Sequence, residues 1–158
     1  MRFTHTMTHA APMAEVGAML DDPAYRDEVI AAQGSLRGTA SFGQEGDTVV
    51  VVVDQLQPAD GIPGFAKKFV GDEINIVQRE EWTAVDHADL HVTIPGKPGQ
   101  MIGSIELVED DGTTTETVEA EITVNIPLVG GKIEKLIGDL LRKALCAEEQ
   151  VARDYLSR

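Results

Sequence analysis

The chain has 158 residues, 27 of them acidic and 13 basic, for a formal net charge of -14. Such a charge is repelled by phosphate backbones, which argues against nucleic acid as a partner and against broad adhesion to anionic membranes. A hydrophobic content of 42% supports a packed core, argues against disorder over most of the length and fits one domain over residues 1–158.

Arg2 to Thr8 alternates, with Phe3, His5 and Met7 on one side and threonines on the other, which predicts a strand. Met1 to Val16 has no apolar stretch of the secretory kind. The longest apolar run, Val49 to Val53, is too short to span a bilayer. Together these predict a cytoplasmic protein without stable membrane insertion. Pro12 is suited to the first position of a helix that buries Val16, Met19 and Leu20. Asp21-Asp22-Pro23 interrupts it, and a second short helix runs from Ala24 to Ala32 and stops at Gly34.

Strand patterns then dominate. Leu36, Gly38, Ala40 and Phe42 alternate with polar residues, and Thr48 to Leu56 is β-branched and apolar on both faces near its middle. Gln57 to Gly64 reads as a loop, and Phe65 to Val70 as one or two helical turns. Ile74 to Thr83, Ala88 to Ile94 and Met101 to Val108 read as strands. Asp110-Asp111-Gly112 is a hairpin turn signal. Thr114 to Ile126 alternates cleanly, with Val118, Ala120, Ile122, Val124 and Ile126 on one face. Strands linked by short turns predict an antiparallel sheet with one apolar face.

After a Gly130-Gly131 corner, a helix is predicted to Leu156. Ile133, Leu136, Ile137, Leu140, Leu141, Ala144, Leu145, Val151, Ala152 and Tyr155 form its apolar stripe. At 1.5 Å per residue it is about 39 Å long, so it needs a broad apolar partner, which the sheet supplies. Cys146, the only cysteine, excludes an internal disulfide and is expected to be buried or half-buried beside the stripe.

Several patterns invite chemistry. Gly130-Gly131-Lys132 lacks the spaced glycine and the following Ser or Thr of a phosphate loop, so no nucleotide cofactor is expected. The glycines are read as making the corner and admitting close helix-to-strand packing. Glu134 is read as half of a capping box, accepting from a first-turn amide. His87, Asp89 and His91 share a strand face opposite Leu90, Val92 and Ile94, which predicts a solvated outer surface and no metal site. His5 faces inward if Phe3 and Met7 do. Glu80 shares its face with Ile74, Ile76, Gln78 and Trp82. If that face is interior, Gln78 and Glu80 are polar groups that orient a ligand. If a bulge reverses the register, they lie on the surface. Phe65 and Phe69 read as a lid with aromatic plugs, as packing on a sheet edge, or as a weak membrane-touching patch. No catalytic residue is assigned.

The order of strand, two helices, further strands and a long helix resembles the START-like, or helix-grip, superfamily, which includes polyketide cyclase-like proteins. Phe3, Asp22, the Glu81-Trp82 pair and Ile126-Pro-Leu-Val-Gly-Gly-Lys-Ile-Glu134 carry the likeness. They are most similar to a START-like family common in actinobacteria. The resemblance implies an α+β fold in which a curved antiparallel sheet of about seven strands grips the C-terminal helix. It also implies an apolar cavity between them.

The expected wall of that cavity is Phe42, Trp82, Leu90, Val92, Met101, Ile105 and Ala120 on the strands, with Ile137, Leu140 and Leu141 on the helix. His5, Gln78 and Glu80 are the candidate polar groups. Small residues at Gly38, Ala40, Gly103 and Ala120 are expected to leave unfilled volume. The function read from this is carriage or sensing of a small apolar or amphipathic molecule. A cyclase- or hydrolase-type enzyme and an interaction domain with a filled core remain the alternatives. The oligomeric state is not assigned.

Overall fold

A computed structural model describes residues Met1–Arg158. The alternating segments pair into one seven-stranded antiparallel sheet, ordered β1-β7-β6-β5-β4-β3-β2. The strands are β1 (Arg2–His9), β2 (Arg37–Glu45), β3 (Thr48–Pro58), β4 (Glu73–Ala84), β5 (His87–Thr93), β6 (Gln100–Asp110) and β7 (Thr113–Thr123). From β2 to β7 the sheet is a meander. The chain starts at the opposite edge, beside β7, and crosses to β2 through α1 (Met13–Leu20) and α2 (Pro23–Ala32). Asp111 and Gly112 both take positive φ, 50° and 79°. That is the backbone twist a two-residue hairpin between β6 and β7 requires.

Registers align one inward row across the whole sheet. Phe42 faces Val51, then come Glu80, Leu90, Gly103, Ala120 and Phe3. The long helix α4 (Gly130–Leu156) lies on this face, against β1 and β7, and meets α1 and α2 with its C-terminal half. The short helix α3 (Gly64–Val70) covers the start of α4 through Ala66 and Phe69, which pack with Ile133 and Leu136. This is the curved α+β helix-grip arrangement expected from the sequence. No helix is long and apolar enough to cross a membrane.

Several local expectations are corrected. β7 stops at Thr123, so Val124 and Ile126 belong to the connection into α4. The Val124 amide donates to Glu134 Oε2 at 3.0 Å, so Glu134 ties down that connection instead of capping the first turn. Leu128, in the same connection, has φ 71° and is fully exposed. Leu36 precedes β2 and is exposed.

Leu140 is 44% exposed. It lies roughly a quarter turn from the line Ile137–Leu141–Leu145–Glu148–Ala152 that faces inward, and α3 does not extend far enough to cover it. Cys146, on the far side of the same helix, is exposed.

The small residues do not all leave empty space. A Cβ at Gly38 would meet the Ile30 Cγ2 of α2 at 2.7 Å. One at Gly103 would sit 1.9 Å from the Glu119 carbonyl oxygen of the neighbouring strand. Close approach explains these glycines.

The Gly-Gly corner divides in the same way. A Cβ at Gly130 would lie 2.5 Å from the Val124 carbonyl oxygen, whereas one at Gly131 meets nothing within 4 Å. Gly130→Ala is therefore expected to destabilise by about 1–3 kcal/mol through overpacking. Gly131→Ala is expected to stabilise by up to ~1 kcal/mol through helix propensity. Urea unfolding of the two variants checks the opposite signs.

Candidate functional site

The inward face of β4 settles the register question. The bulge falls between Trp82 and Ala84, beyond Glu80, so Gln78, Glu80 and Trp82 point toward α4 and α2. Glu80 is 2% exposed in an otherwise apolar row. It survives there because Arg26, 4% exposed on α2, reaches it with two hydrogen bonds, Nη1 to Oε1 at 2.8 Å and Nη2 to Oε2 at 3.0 Å. Arg26 Nε also donates to the Leu20 carbonyl at 2.8 Å. Gln78 Nε2 donates to Oε1 at 2.7 Å and Trp82 Nε1 to Oε2 at 2.9 Å. Burial alone would raise the Glu80 carboxyl. The Arg26 charge and the donated hydrogen bonds outweigh it and hold Glu80 below the usual carboxylate range.

A second buried pair lies nearby. His9, on the inner face of β1, and Glu116, on the inner face of β7, meet at 2.8 Å, Nε2 to Oε2. Both are almost wholly inaccessible.

The third carboxylate is Glu148 of α4, one turn past Leu145. It is half-buried and borders the interior cavity, with the Tyr25 hydroxyl beside its carboxyl. Burial, and next the Glu116 charge, push it up to about 8. Arg26 lowers it, Glu80 raises it, and the nearby Tyr25 hydroxyl lowers it slightly. Tyr25 itself is fully buried, and its hydroxyl has no partner within hydrogen-bond distance. Its ring meets Tyr155 edge-on at 5.6 Å.

These carboxylates converge on a cavity of about 20 Å³ between sheet and helix, room for one water molecule. Leu20, Trp82, Leu90, Met101, Ile105, Val118, Leu141 and Leu145 are its apolar lining. Gln78, Glu80, Glu116 and Glu148 are its polar lining.

Of the expected wall, Trp82, Leu90, Met101, Ile105 and Leu141 border the cavity, as do Gln78 and Glu80. Val92, Ala120 and Ile137 pack in the main core, and Phe42 packs beside Val51 and Val53, away from the cavity. Leu140 points to solvent. His5 is stacked on Phe3 at 6.5 Å with its Nε2 buried and unpaired, and it does not reach the cavity. Phe65 and Phe69 sit at the opposite end of α4 and plug nothing there: Phe65 lies beneath the Lys132 ammonium, and Phe69 packs with Ala66 and Val124. His87 bonds Glu106 and Asp89 on the outer surface, with His91 exposed nearby.

Arg26, His9, Glu116 and Glu148 received no role from the sequence. Strand alternation carried the signal for two of them. Phe3-His5-Met7-His9 shares one face of β1, and Glu116-Val118-Ala120 shares one face of β7.

The family model described as protein of unknown function, DUF2505, matches residues 4–156. A Mycobacterium tuberculosis protein described as uncharacterised is 27% identical over 127 residues, 77% of this chain and 72% of its own. Among solved structures, the di-domain ARO/CYC StfQ from the steffimycin biosynthetic pathway superposes with a TM-score of 0.68 at 10% identity. That match covers 99% of this chain and 50% of StfQ. A START superfamily protein from Mycobacterium smegmatis superposes with a TM-score of 0.57 at 16% identity, over 95% and 96% of the two chains. At these identities the likeness shows the fold.

Glu148 makes stability depend on pH. Its folded value, about 8, lies above the ordinary carboxylate value of 4.5. The folded state therefore binds the proton more tightly, and its contribution is full below about pH 4.5 and lost as pH rises toward 8. Glu148→Gln keeps the neutral shape at every pH. It is expected to match the native protein near pH 5 and to exceed it by on the order of 2–4 kcal/mol at pH 8.5. Denaturant unfolding at the two pH values checks this.

Proposed function

The chain belongs to the DUF2505 family, and from that membership, its START-like fold and an interior cavity lined by both polar and apolar groups we propose that residues 1–158 act as one START-like domain that binds a small amphipathic molecule between the sheet and α4. The observation that carries this reading is the cavity itself. Apolar side chains from β5, β6, β7 and α4 line it together with polar groups from β4, β7 and α4. Such a mixed lining suits a guest with an apolar body and a polar end. The fold neighbours support the reading only in kind, one being described as an ARO/CYC protein and another as a START superfamily protein.

In this conformation the cavity is water-sized. A larger guest enters by displacing Leu141 and Leu145, the α4 side chains that close the cavity on the helix side. Burial of the guest's apolar surface contributes about 25 cal/mol per Å², from which the ordering and association costs are subtracted.

A second reading, an enzyme of the cyclase or hydrolase kind, has one observation in its favour. With its carboxyl pushed up to about 8, Glu148 holds a proton near neutral pH and can donate it to a bound molecule.

Native mass spectrometry of protein purified from cells, with thermal-shift screening of amphipathic compounds, tests the binding reading. A retained small molecule or a dose-dependent rise in Tm is expected. Val118→Phe, which fills the wall, should lose the response while circular dichroism stays native. Leu145→Ala should cost about 2–4 kcal/mol of stability and keep or strengthen the response. If protein from cells is empty, no compound shifts Tm and Leu145→Ala changes neither result, the binding reading fails.

A further inference from the structure

We propose that the end of the molecule built by α3, the β5–β6 turn and the connection into α4 docks on the surface of an anionic bilayer, with Leu128 entering among the lipids and the surrounding lysines meeting the headgroups. Docking requires no guest in the interior cavity, so it stands or falls apart from the binding reading above. Leu128 is fully exposed, and it holds a φ of 71°. That conformation is costly for a side-chain-bearing residue other than Asn or Asp, and glycine would adopt it with less strain. Ile126 and Val129, on either side, pack with Ala66, Val124 and Ile133. The connection is therefore anchored around a leucine that buries nothing. Phe65 of α3 is the second exposed large apolar side chain at this end.

Charge is distributed unevenly in the same place. The three segments that build this end, residues 61–71, 90–104 and 122–133, contain none of the chain's 27 acidic residues. Five of the chain's six lysines gather here, all exposed. Lys67 and Lys68 belong to α3, Lys132 and Lys135 to the start of α4, and Lys97 to the β5–β6 turn. Val124 joins the three parts. It packs with Ala66 of α3 and Ile133 of α4, and a Cβ at Gly99 of the turn would meet its Cγ2 at 3.5 Å. Lys97 and Asn125 border one surface groove, and the Lys132 ammonium lies 5.9 Å above the Phe65 ring. Of the acids nearest in sequence, Glu121 and Glu134 bind the Met1 amine, and Asp72 approaches Lys67 only at 4.0 Å. Asp60, Glu73 and Asp139 are exposed and make no ion pair.

Exposed apolar side chains among lysines complement a surface that is anionic outside and hydrocarbon beneath. Lysine suits the rim of such a contact, because its stem is apolar and its ammonium stays at headgroup level. A bilayer accepts one protruding side chain without a shaped pocket. A stable protein interface buries about 800 Å² per partner around an apolar centre, and Leu128 and Phe65, set among lysines, do not form one. The net charge of -14 opposes approach as a whole, but salt screens it beyond about 8 Å. Because that charge lies on the rest of the surface, it turns the lysine-bearing end toward the membrane.

Flotation with vesicles tests this, using phosphatidylcholine alone or with one-third phosphatidylglycerol. The protein is expected to bind the mixed vesicles at least tenfold more tightly than the neutral ones, and to be released by high salt. Leu128→Gly suits the positive φ, so it should leave Tm unchanged or higher while weakening binding at least fivefold. Leu128→Trp should give a blue-shifted emission on mixed vesicles only. Replacing Lys67, Lys68, Lys132 and Lys135 together by Gln should abolish flotation with circular dichroism unchanged, whereas Arg37→Gln, on β2 at the far edge of the sheet, should have no effect. Equal binding to neutral vesicles, or native flotation by Leu128→Gly, overturns the proposal. Absence of flotation also overturns it, and if the native protein then binds a polyglutamate matrix through the same four lysines, this face belongs to an acidic protein partner.

Discussion

The interior is organised around one ion pair. Glu80 lies midway along a row of the sheet whose other members are apolar or glycine. Unpaired, a charge there would not be tolerated. Arg26 makes it tolerable, and in doing so fixes α2 over β4 at one height and one rotation. In comparable pairs, removing one partner strands a buried charge and costs about 3–5 kcal/mol. Asp22 secures the same helix from its start, accepting from the Ala24 amide at 2.9 Å and from the Tyr155 hydroxyl at the end of α4. Polar contacts thus add fixed points to helices that otherwise pack on the sheet and on one another through apolar side chains.

Trp82 joins these two systems. It packs against the main core, against the cluster between α1, α2 and α4, and against the small cluster around Val51 and Val53. Its indole nitrogen meanwhile donates to Glu80. One side chain therefore spans the dry part of the interior and reaches its polar end. The cavity opens where these parts meet. Its lining mixes hydrocarbon side chains with carboxylates whose charges are compensated to different degrees.

The sheet and α4 were legible because their signals are periodic and local. Val118, Ala120 and Ile122 alternate, and Ile137, Leu141 and Leu145 recur at helical spacing, so each element announces its own buried face. The polar interior was less legible. Arg26 sits in Pro-Ala-Tyr-Arg-Asp-Glu-Val-Ile, where a single arginine reads as the wet side of a short helix. Its burial depends on Glu80, 54 positions away. Glu148 stands in Ala-Glu-Glu-Gln and resembles any solvent-facing pair. Only the continuation of the Leu141–Leu145 line shows that it turns inward while Glu149 instead accepts from the Thr8 amide. Leu140 and Cys146 failed the opposite way. Their neighbours are apolar, but the extent of α3 and the angle around α4 decide exposure, and neither is written in the local pattern. The small residues misled for a related reason, since composition cannot distinguish a glycine that leaves a void from one that a neighbour already fills.

The sheet's wiring has a consequence for how the chain acquires its native state. β2 to β7 pair with sequence neighbours, through short turns except where the connection carrying α3 joins β3 to β4, and closing such loops costs little entropy. β1 is different. Its partner is β7, with Arg2 opposite Glu121, so β1 has no edge to join until β7 has been synthesised. Contacts this distant in sequence slow folding, and until they form, Phe3 and Met7 present an uncovered apolar face. α4 must dock in the same late stage, because β1 is part of the surface it rests on. Glu116 enters with β7, His9 with β1 and Glu148 with α4, so the polar lining of the cavity is assembled only when the outermost strand and the final helix arrive.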